Sequence, residues 1–282
     1  QRIADQAFAA VDHLESQLSV WISGSPVSYI NHQAGKGPNP APDVVIDIIE
    51  SSRRQYDATH GAFDISVGPV LELFGFYAKE GRSPSEAEIE QARALVGMDK
   101  VVTDSRNRTV ELVAPGMRID FGGIGKGYAL DVAAEVLKSN GITRALLKAS
   151  TSSILAIGAP VGQDHWTVSL ENPYNPAEAL EELPLADASF SASGCYGDKP
   201  TDDQGRRYCH IVDPRTGRPV EGVLATAIVT KESAAAADAL TTGFLVMGKA
   251  GIEAYCKERP GVLAVFVGVP DAGQPVAEKF QF

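Results

Sequence analysis

The chain has 282 residues, 44% of them hydrophobic and 22% charged, enough apolar material for a large core in one big domain or two lobes. A formal net charge of -11 excludes a nucleic-acid surface and an anionic-membrane surface. No run of about 18 apolar residues is present to span a bilayer.

From the N-terminus, residues 4–19 predict an amphipathic helix with Ala7, Val11, Leu14 and Leu18 on one face. Gln1 begins directly in this pattern without a signal peptide, as expected of a trimmed mature form. Trp21 stands at the helix-to-loop junction, a place that suits a core aromatic as well as a ligand platform. A loop over Ser23–Ser28 and a short segment closing at Asn31 follow, then a Gly/Pro/Asn-rich surface loop over 32–42. Asp43 is expected to cap a helix from Val44 to Tyr56. Gly61-Ala62-Phe63-Asp64 reads either as a turn exposing backbone and carboxylate or as an Asx-type turn. Ser83-Pro84-Ser85-Glu86 opens a helix, with Ser as cap and Pro at the first position, running to about Val96. Residues 100–103 and 109–113 form a hairpin around Asp104 to Arg108.

Met117 to Asp120 alternate apolar with polar, as the end of a half-buried strand would. Gly122, Gly123, Gly125 and Gly127 then put four glycines into six positions with Lys126 among them, and Leu130, Ala133, Ala134 and Leu137 continue at helical spacing to a stop at Gly141. Glycines allow a close backbone approach, and a helix's first turn offers unpaired N–H groups and partial positive charge. The stretch therefore suits an anion, most simply phosphate, or else a tight structural turn. It matches neither the P-loop, because Gly127 follows Lys126, nor the dinucleotide fingerprint.

Ala145 to Ile157 is a candidate strand broken at Ser150-Thr151-Ser152-Ser153. Trp166–Leu170 and Ala188–Ala192 read as strands, with the acidic stretch Glu171–Pro184 as a connection. Tyr208–Val212 reads as a strand ending in the turn Asp213-Pro214-Arg215-Thr216-Gly217. Leu224–Thr230 is a β-branched strand, Ser233 caps a helix over Ala234–Met247 ended by Gly248, and Gly261–Val269 is a last strand. The mixed order without strict βαβ alternation predicts α+β, with a mixed, mostly antiparallel sheet flanked by helices. Cys195, Cys209 and Cys256 show no CxxC spacing; the composition points to three free thiols or one pair, for which Cys195 and Cys209 are the candidates.

Two features bear on chemistry. Asp238 and Thr242 lie four apart on the apolar helix, so carboxylate and hydroxyl share a face. A buried carboxylate needs a partner. The bland solution is a lysine or capping N–H for Asp238 and a back-bonded Thr242; the sharper one is a hard-cation site for Mg²⁺ with substrate phosphates. An acidic protein that binds phosphates must gather positive charge or recruit a metal, which makes the second coherent. His210, beside Asp213 and Arg215, is a candidate for general acid–base work or phosphate contact.

The motifs in order are Leu18-Ser19-Val20-Trp21, Ser28…Asn31, Gly61 to Asp64 with Gly68-Pro69, Asp120 to Tyr128, Ser193-Gly194, His210 to Gly217, and Ala237 to Thr242. This order resembles the ApbE family of FAD:protein FMN transferases over nearly the whole chain. The resemblance implies an ApbE-like, T-fold-related domain over 1–282, in one or two lobes, lacking the family's N-terminal strand. It implies a transferase that uses Mg²⁺, cleaves FAD, attaches FMN through phosphate to a threonine of a partner protein and releases AMP. It also implies an exported protein, periplasmic or on the outer face of the cytoplasmic membrane and lipid-anchored in full-length form.

By the same resemblance, Trp21 sits against the flavin or adenine ring, and Ala62, Phe63 and Asp64 line the FAD pocket. Asp120, Lys126, His210 and Ile211 contact FAD, with His210 close to the reacting phosphates. Gly123 through its carbonyl, Asp238 and Thr242 hold the metal, and His210 and Asp238 are the catalytic pair. The chain departs from the family at Thr151-Ser152-Ser153, where Gly-Gly-Asp is common, and at Cys195, where a polar residue is common. Two alternatives follow from these departures: an FAD diphosphatase giving FMN and AMP, and a non-catalytic exported flavin-binding protein.

Overall fold

The computed structural model describes residues 1–78, 80–196, 201–202, 205, 207–270 and 273–282, with the side chain of residue 176 left aside. In chain order the helices are α1 (Arg2–Leu18), α2 (Pro26–His32), α3 (Asp43–Ala58), α4 (Gly68–Leu73), α5 (Glu86–Arg93), α6 (Gly125–Ser139) and α7 (Ala234–Glu258). The strands are β1 (Asn39–Pro40), β2 (Val101–Asp104), β3 (Thr109–Leu112), β4 (Ala145–Ala149), β5 (Ser153–Ile157), β6 (Trp166–Asn172), β7 (Asn175–Leu185), β8 (Ser189–Gly194), β9 (Val212–Asp213), β10 (Arg218–Pro219), β11 (Val223–Thr230), β12 (Leu263–Gly268) and β13 (Ala277–Phe280). The chain forms two compact units, one of Gln1–Asp12, Ile124–Gly197 and Gly222–Phe282, the other of His13–Gly123 and Asp198–Glu221. Among the described residues no helix is long and apolar enough to cross a membrane.

The first unit is built on a six-stranded sheet of order β13-β12-β11-β8-β5-β4 and a two-stranded ribbon of β6 and β7. All its ladders are antiparallel. Strand β5 shows why the sheet reads as unbroken apolar sequence. Its Ile154 and Ala156 pack with Val168 and Leu170 of β6 and Leu183 and Leu185 of β7. Its Leu155 and Ile157 meet Leu130 and Ala134 of α6 and Ala234 of α7 on the opposite face. A strand covered on both faces has no polar side to display. The second unit carries the three-stranded sheet β1-β3-β2, the β9–β10 pair and a core of Val70, Phe74, Ile89 and Val212. The α+β class and the antiparallel sheet are as expected.

Several elements differ from the sequence expectation. The segment at Ser23–Asn31 contains helix α2, whose cap is Ser25 accepting from Ser28 N–H. Within the loop 32–42, Asn39 and Pro40 pair with β3. Asp43 is the first residue of α3, not its cap, and forms an ion pair with Arg108 at 2.7 Å. The cap of α5 is Ser85, not Ser83; Ser85 and Glu88 form a reciprocal capping box, and the helix ends at Arg93. Met117–Asp120 is extended without being a strand: Met117 and Ile119 are buried, so the alternation reports burial, while the backbone bonds go elsewhere.

The acidic stretch at 171–184 is mostly strand β7: exposed Glu182 alternates with buried Leu183 and Leu185, and Glu181 is ion-paired with Lys279. Residues 208–211 are not strand; only Val212–Asp213 pair, with Pro219 and Arg218. Helix α7 does break at Gly248, which takes φ 66°, but helix resumes to Glu258. Strand β12 is followed by β13, so it is not the last. Cys256 is buried and free.

Candidate functional site

Two polar constellations stand out, one in each unit. In the first, α7 starts at the cap Ser233, whose side chain accepts from Ala236 N–H, and its next turn carries Asp238. The flanking Ala237, Ala239 and Leu240 are fully buried, and Asp238 is only 2% exposed. Helix α6 starts at Ile124 without a side-chain cap, and Asp238 Oδ2 accepts from its Gly127 N–H at 3.0 Å. One helix thus caps another. Asp131 of α6 returns the favour, accepting from Ala234 and Ala235 N–H at 2.8 and 2.9 Å. Burial nonetheless raises the Asp131 carboxyl above its ordinary value, the two amide bonds partly offsetting it. The close approach requires Gly127: a Cβ there would run into the backbone of Ala234 and Ala235.

The other Asp238 oxygen, Oδ1, has Ser153 Oγ at 3.2 Å and Ser191 Oγ at 3.3 Å. Lys126 Nζ lies 3.4 Å from it, with the lysine side chain 41% exposed. Thr242 Oγ1 makes a long 3.4 Å bond to the Asp238 carbonyl, and Thr241 Oγ1 donates to the same carbonyl at 2.9 Å. Asp238 and Thr242 therefore share a face as the spacing requires, and in this arrangement the bland solution of lysine, capping N–H and back-bonded threonine is satisfied. Among the described residues no group of three or more His, Cys, Asp or Glu gathers as metal ligands.

In the second unit, Asn31 uses both ends of its amide on Ile119: Nδ2 donates to the carbonyl at 3.0 Å and Oδ1 accepts the N–H at 2.8 Å. Asp120 N–H bonds to Ile65 O at 2.8 Å. These are the partners that replace a strand ladder. Asp120 in turn accepts from Tyr77 OH at 2.9 Å and Gly122 N–H at 2.7 Å. Burial first, and then the adjacent Asp120 carboxylate, push the Tyr77 phenol well above its ordinary value. Arg118 lies over the Tyr77 ring at 4.0 Å, and Trp21 meets it edge-on at 5.6 Å. Trp21 is 65% exposed, so it is not a core residue.

Ala62, Phe63 and Asp64 lie in the interior of this unit. Asp64 does not expose its carboxylate: it accepts from Ser66 N–H at 2.7 Å and Ser66 Oγ at 2.6 Å, so the Asx-type turn is what forms. Gly123 and Ile211 are half-buried. His210 is exposed in irregular backbone, not embedded in a strand, because the β9 pairing begins only at Val212.

Sequence reasoning missed Ser191, Tyr77, Arg118 and Asp131, and met Ser153 only as a departure. A serine in a strand carries no signal until its neighbour across the sheet is known. Arg118 had a weak one, since a cation beside the glycine stretch is unusual in an acidic chain. Its Nε is buried without a hydrogen-bond partner among the described residues.

A family model described as the ApbE family matches residues 1–267. The FAD:protein FMN transferase of Klebsiella pneumoniae (strain 342) is 30% identical over 274 residues, 95% of this chain and 82% of that one. The FAD:protein FMN transferase of Salmonella typhimurium is 30% identical over 240 residues, 82% and 67% of the two chains. Among solved structures, the ApbE protein of Thermotoga maritima superposes with a TM-score of 0.87 at 29% identity, covering 99% of this chain and 89% of that one. The apo flavinyl transferase ApbE of Pseudomonas stutzeri gives 0.83 at 28%, covering 99% and 85%.

Proposed function

The chain belongs to the ApbE family, and we propose that it is an Mg²⁺-dependent FAD:protein FMN transferase that modifies a threonine of an acceptor protein. The observation that carries this reading is Asp238, a carboxylate only 2% exposed inside an apolar helix and ringed by Gly127 N–H, Lys126 and two serine hydroxyls. A buried carboxylate fixed by these partners is suited to hold charge at a reacting phosphate.

The donor chemistry fits a hard cation in kind. Asp238 supplies a carboxylate and Thr242 a hydroxyl whose proton is directed to a helix carbonyl, leaving its lone pairs unused. When bound there, Mg²⁺ would neutralise charge developing on phosphate oxygens. The chain's own groups do the rest. Lys126 engages a phosphate oxygen. Within the second unit, taken by itself, the Trp21–Tyr77–Arg118 array, held by Asp120, offers a face for a planar ring. The threonine oxygen bonds to the FMN-side phosphorus, the bridging P–O bond breaks, and AMP departs with the bridging oxygen. The hydroxyl proton passes to a general base, the role that the sequence motif suggests for His210, and then to solvent.

The test is incubation with FAD, Mg²⁺ and a threonine-bearing acceptor, followed by mass analysis of the acceptor. Covalent FMN on wild-type reactions and none with Asp238→Ala is the expected result. Free FMN and AMP without modified acceptor would make the protein a diphosphatase instead, and no turnover of FAD would leave only a binding role.

A further inference from the structure

The Asp238 carboxylate is crowded at one of its two oxygens, Oδ1. Gly127 N–H, Ser153 Oγ, Ser191 Oγ and Lys126 Nζ stand at 3.0, 3.2, 3.3 and 3.4 Å from its two oxygens. Ser153, Ser191 and Lys126 all face Oδ1, which has roughly two lone-pair sites, so a cation that binds this oxygen displaces one of them. Three of the four are held in place by the fold. The Gly127 amide is fixed in the first turn of α6, and Ser153 and Ser191 are directly paired residues of β5 and β8, both fully buried. Lys126 differs in each respect: it is long, flexible, 41% exposed and itself cationic.

We propose that Lys126 is a cationic placeholder on Asp238, which a divalent cation displaces and which then turns to a phosphate of the substrate. This rests on the metal reading above and deepens it. Two cations on one carboxylate oxygen repel, so arrival of the metal expels the ammonium. The expelled ammonium stays tethered at the second residue of α6, beside amides of the helix N-terminus that attract an anion. Without metal the ion pair keeps the buried charge neutralised, so the unit folds with no cation bound. Metal and phosphate ligand then reinforce one another, and linkage makes that reinforcement reciprocal.

The experiment is Mn²⁺ titration of the full chain by calorimetry and electron paramagnetic resonance, without flavin and then with ADP as a pyrophosphate probe. Wild type is compared with Lys126→Met, Lys126→Ala and Asp238→Asn, each checked for folding by circular dichroism. With no nucleotide present, both Lys126 variants should bind Mn²⁺ more tightly than wild type, on the order of fivefold to tenfold. ADP should raise Mn²⁺ affinity in wild type and raise it less in the variants. Equal or weaker Mn²⁺ binding by the folded Lys126 variants overturns the placeholder. If Asp238→Asn loses Mn²⁺ while the Lys126 variants bind it no more tightly than wild type, the placeholder falls and the metal reading stands. Binding that survives Asp238→Asn, or is absent from wild type, overturns both.

Discussion

Asp64 and Asp238 are both buried carboxylates, and their surroundings set them apart. Burial raises the Asp64 carboxyl above the ordinary 3.8, opposed by the two Ser66 bonds and, more weakly, by Lys100. A carboxyl raised in the fold lends stability that is present below pH 3.8 and lost as pH rises through its folded value. An asparagine there keeps an oxygen for both Ser66 donors and carries no charge. Asp64→Asn should therefore be more stable than wild type at pH 7, with the advantage shrinking towards pH 4. Urea midpoints at the two pH values check this, and a variant weaker at pH 7 would show that the charge itself is wanted, as contact with a ligand would require. Asp238 was legible in sequence because an aspartate among alanines and leucines demands a partner. Which partners it took was not, because Lys126 and Ser191 are ordinary residues until the fold brings them to it.

At the scale of elements, the α6–α7 contact sets the geometry around Asp238. Each helix's first turn is capped by a carboxylate from the other, Asp238 to Gly127 and Asp131 to Ala234 and Ala235. Gly127 reads in sequence as part of a phosphate loop, yet what it permits is helix-to-helix approach, since its missing Cβ is replaced by the Ala234 carbonyl. Gly127→Ala should cost about 1–3 kcal/mol and weaken transfer, whereas Gly24→Ala, with open space around it, should change neither. Denaturant midpoints and covalent-flavin yield measure the two effects; a neutral Gly127→Ala would mean the contact is not tight. Strand β7 and the 208–211 segment were misread for related reasons. Glutamates are compatible with a solvent-facing strand side, and the apolar residues beside His210 serve a core without a ladder.

For the whole molecule, the net charge of -11 makes binding of the doubly acidic FAD depend on local cations, and Lys126 is one. A ligand that binds only the folded chain raises its melting temperature. At about a hundred times the dissociation constant the gain is about 2.7 kcal/mol, or about 5–10 °C for a chain of this size. Mg²⁺ with FAD should give a shift larger than the sum of either alone, and Asp238→Ala should abolish the Mg²⁺-dependent part. Differential scanning fluorimetry reads this directly; a purely additive shift would argue against coupled binding.

The sequence by itself determined the α+β class, most strands and helices, the cap at Ser233, the helix break at Gly248 and the family, because these depend on local periodicity, turn chemistry and motif order. Only the tertiary structure decided that Met117–Asp120 bonds to Asn31 and Ile65 and not to a strand, that Trp21 is exposed, and that Lys126, Gly127, Ser153 and Ser191 converge on Asp238. Those are long-range pairings. A hydroxyl, an amide or an ammonium has no preference of its own for one buried carboxylate until packing removes the water that would otherwise satisfy it.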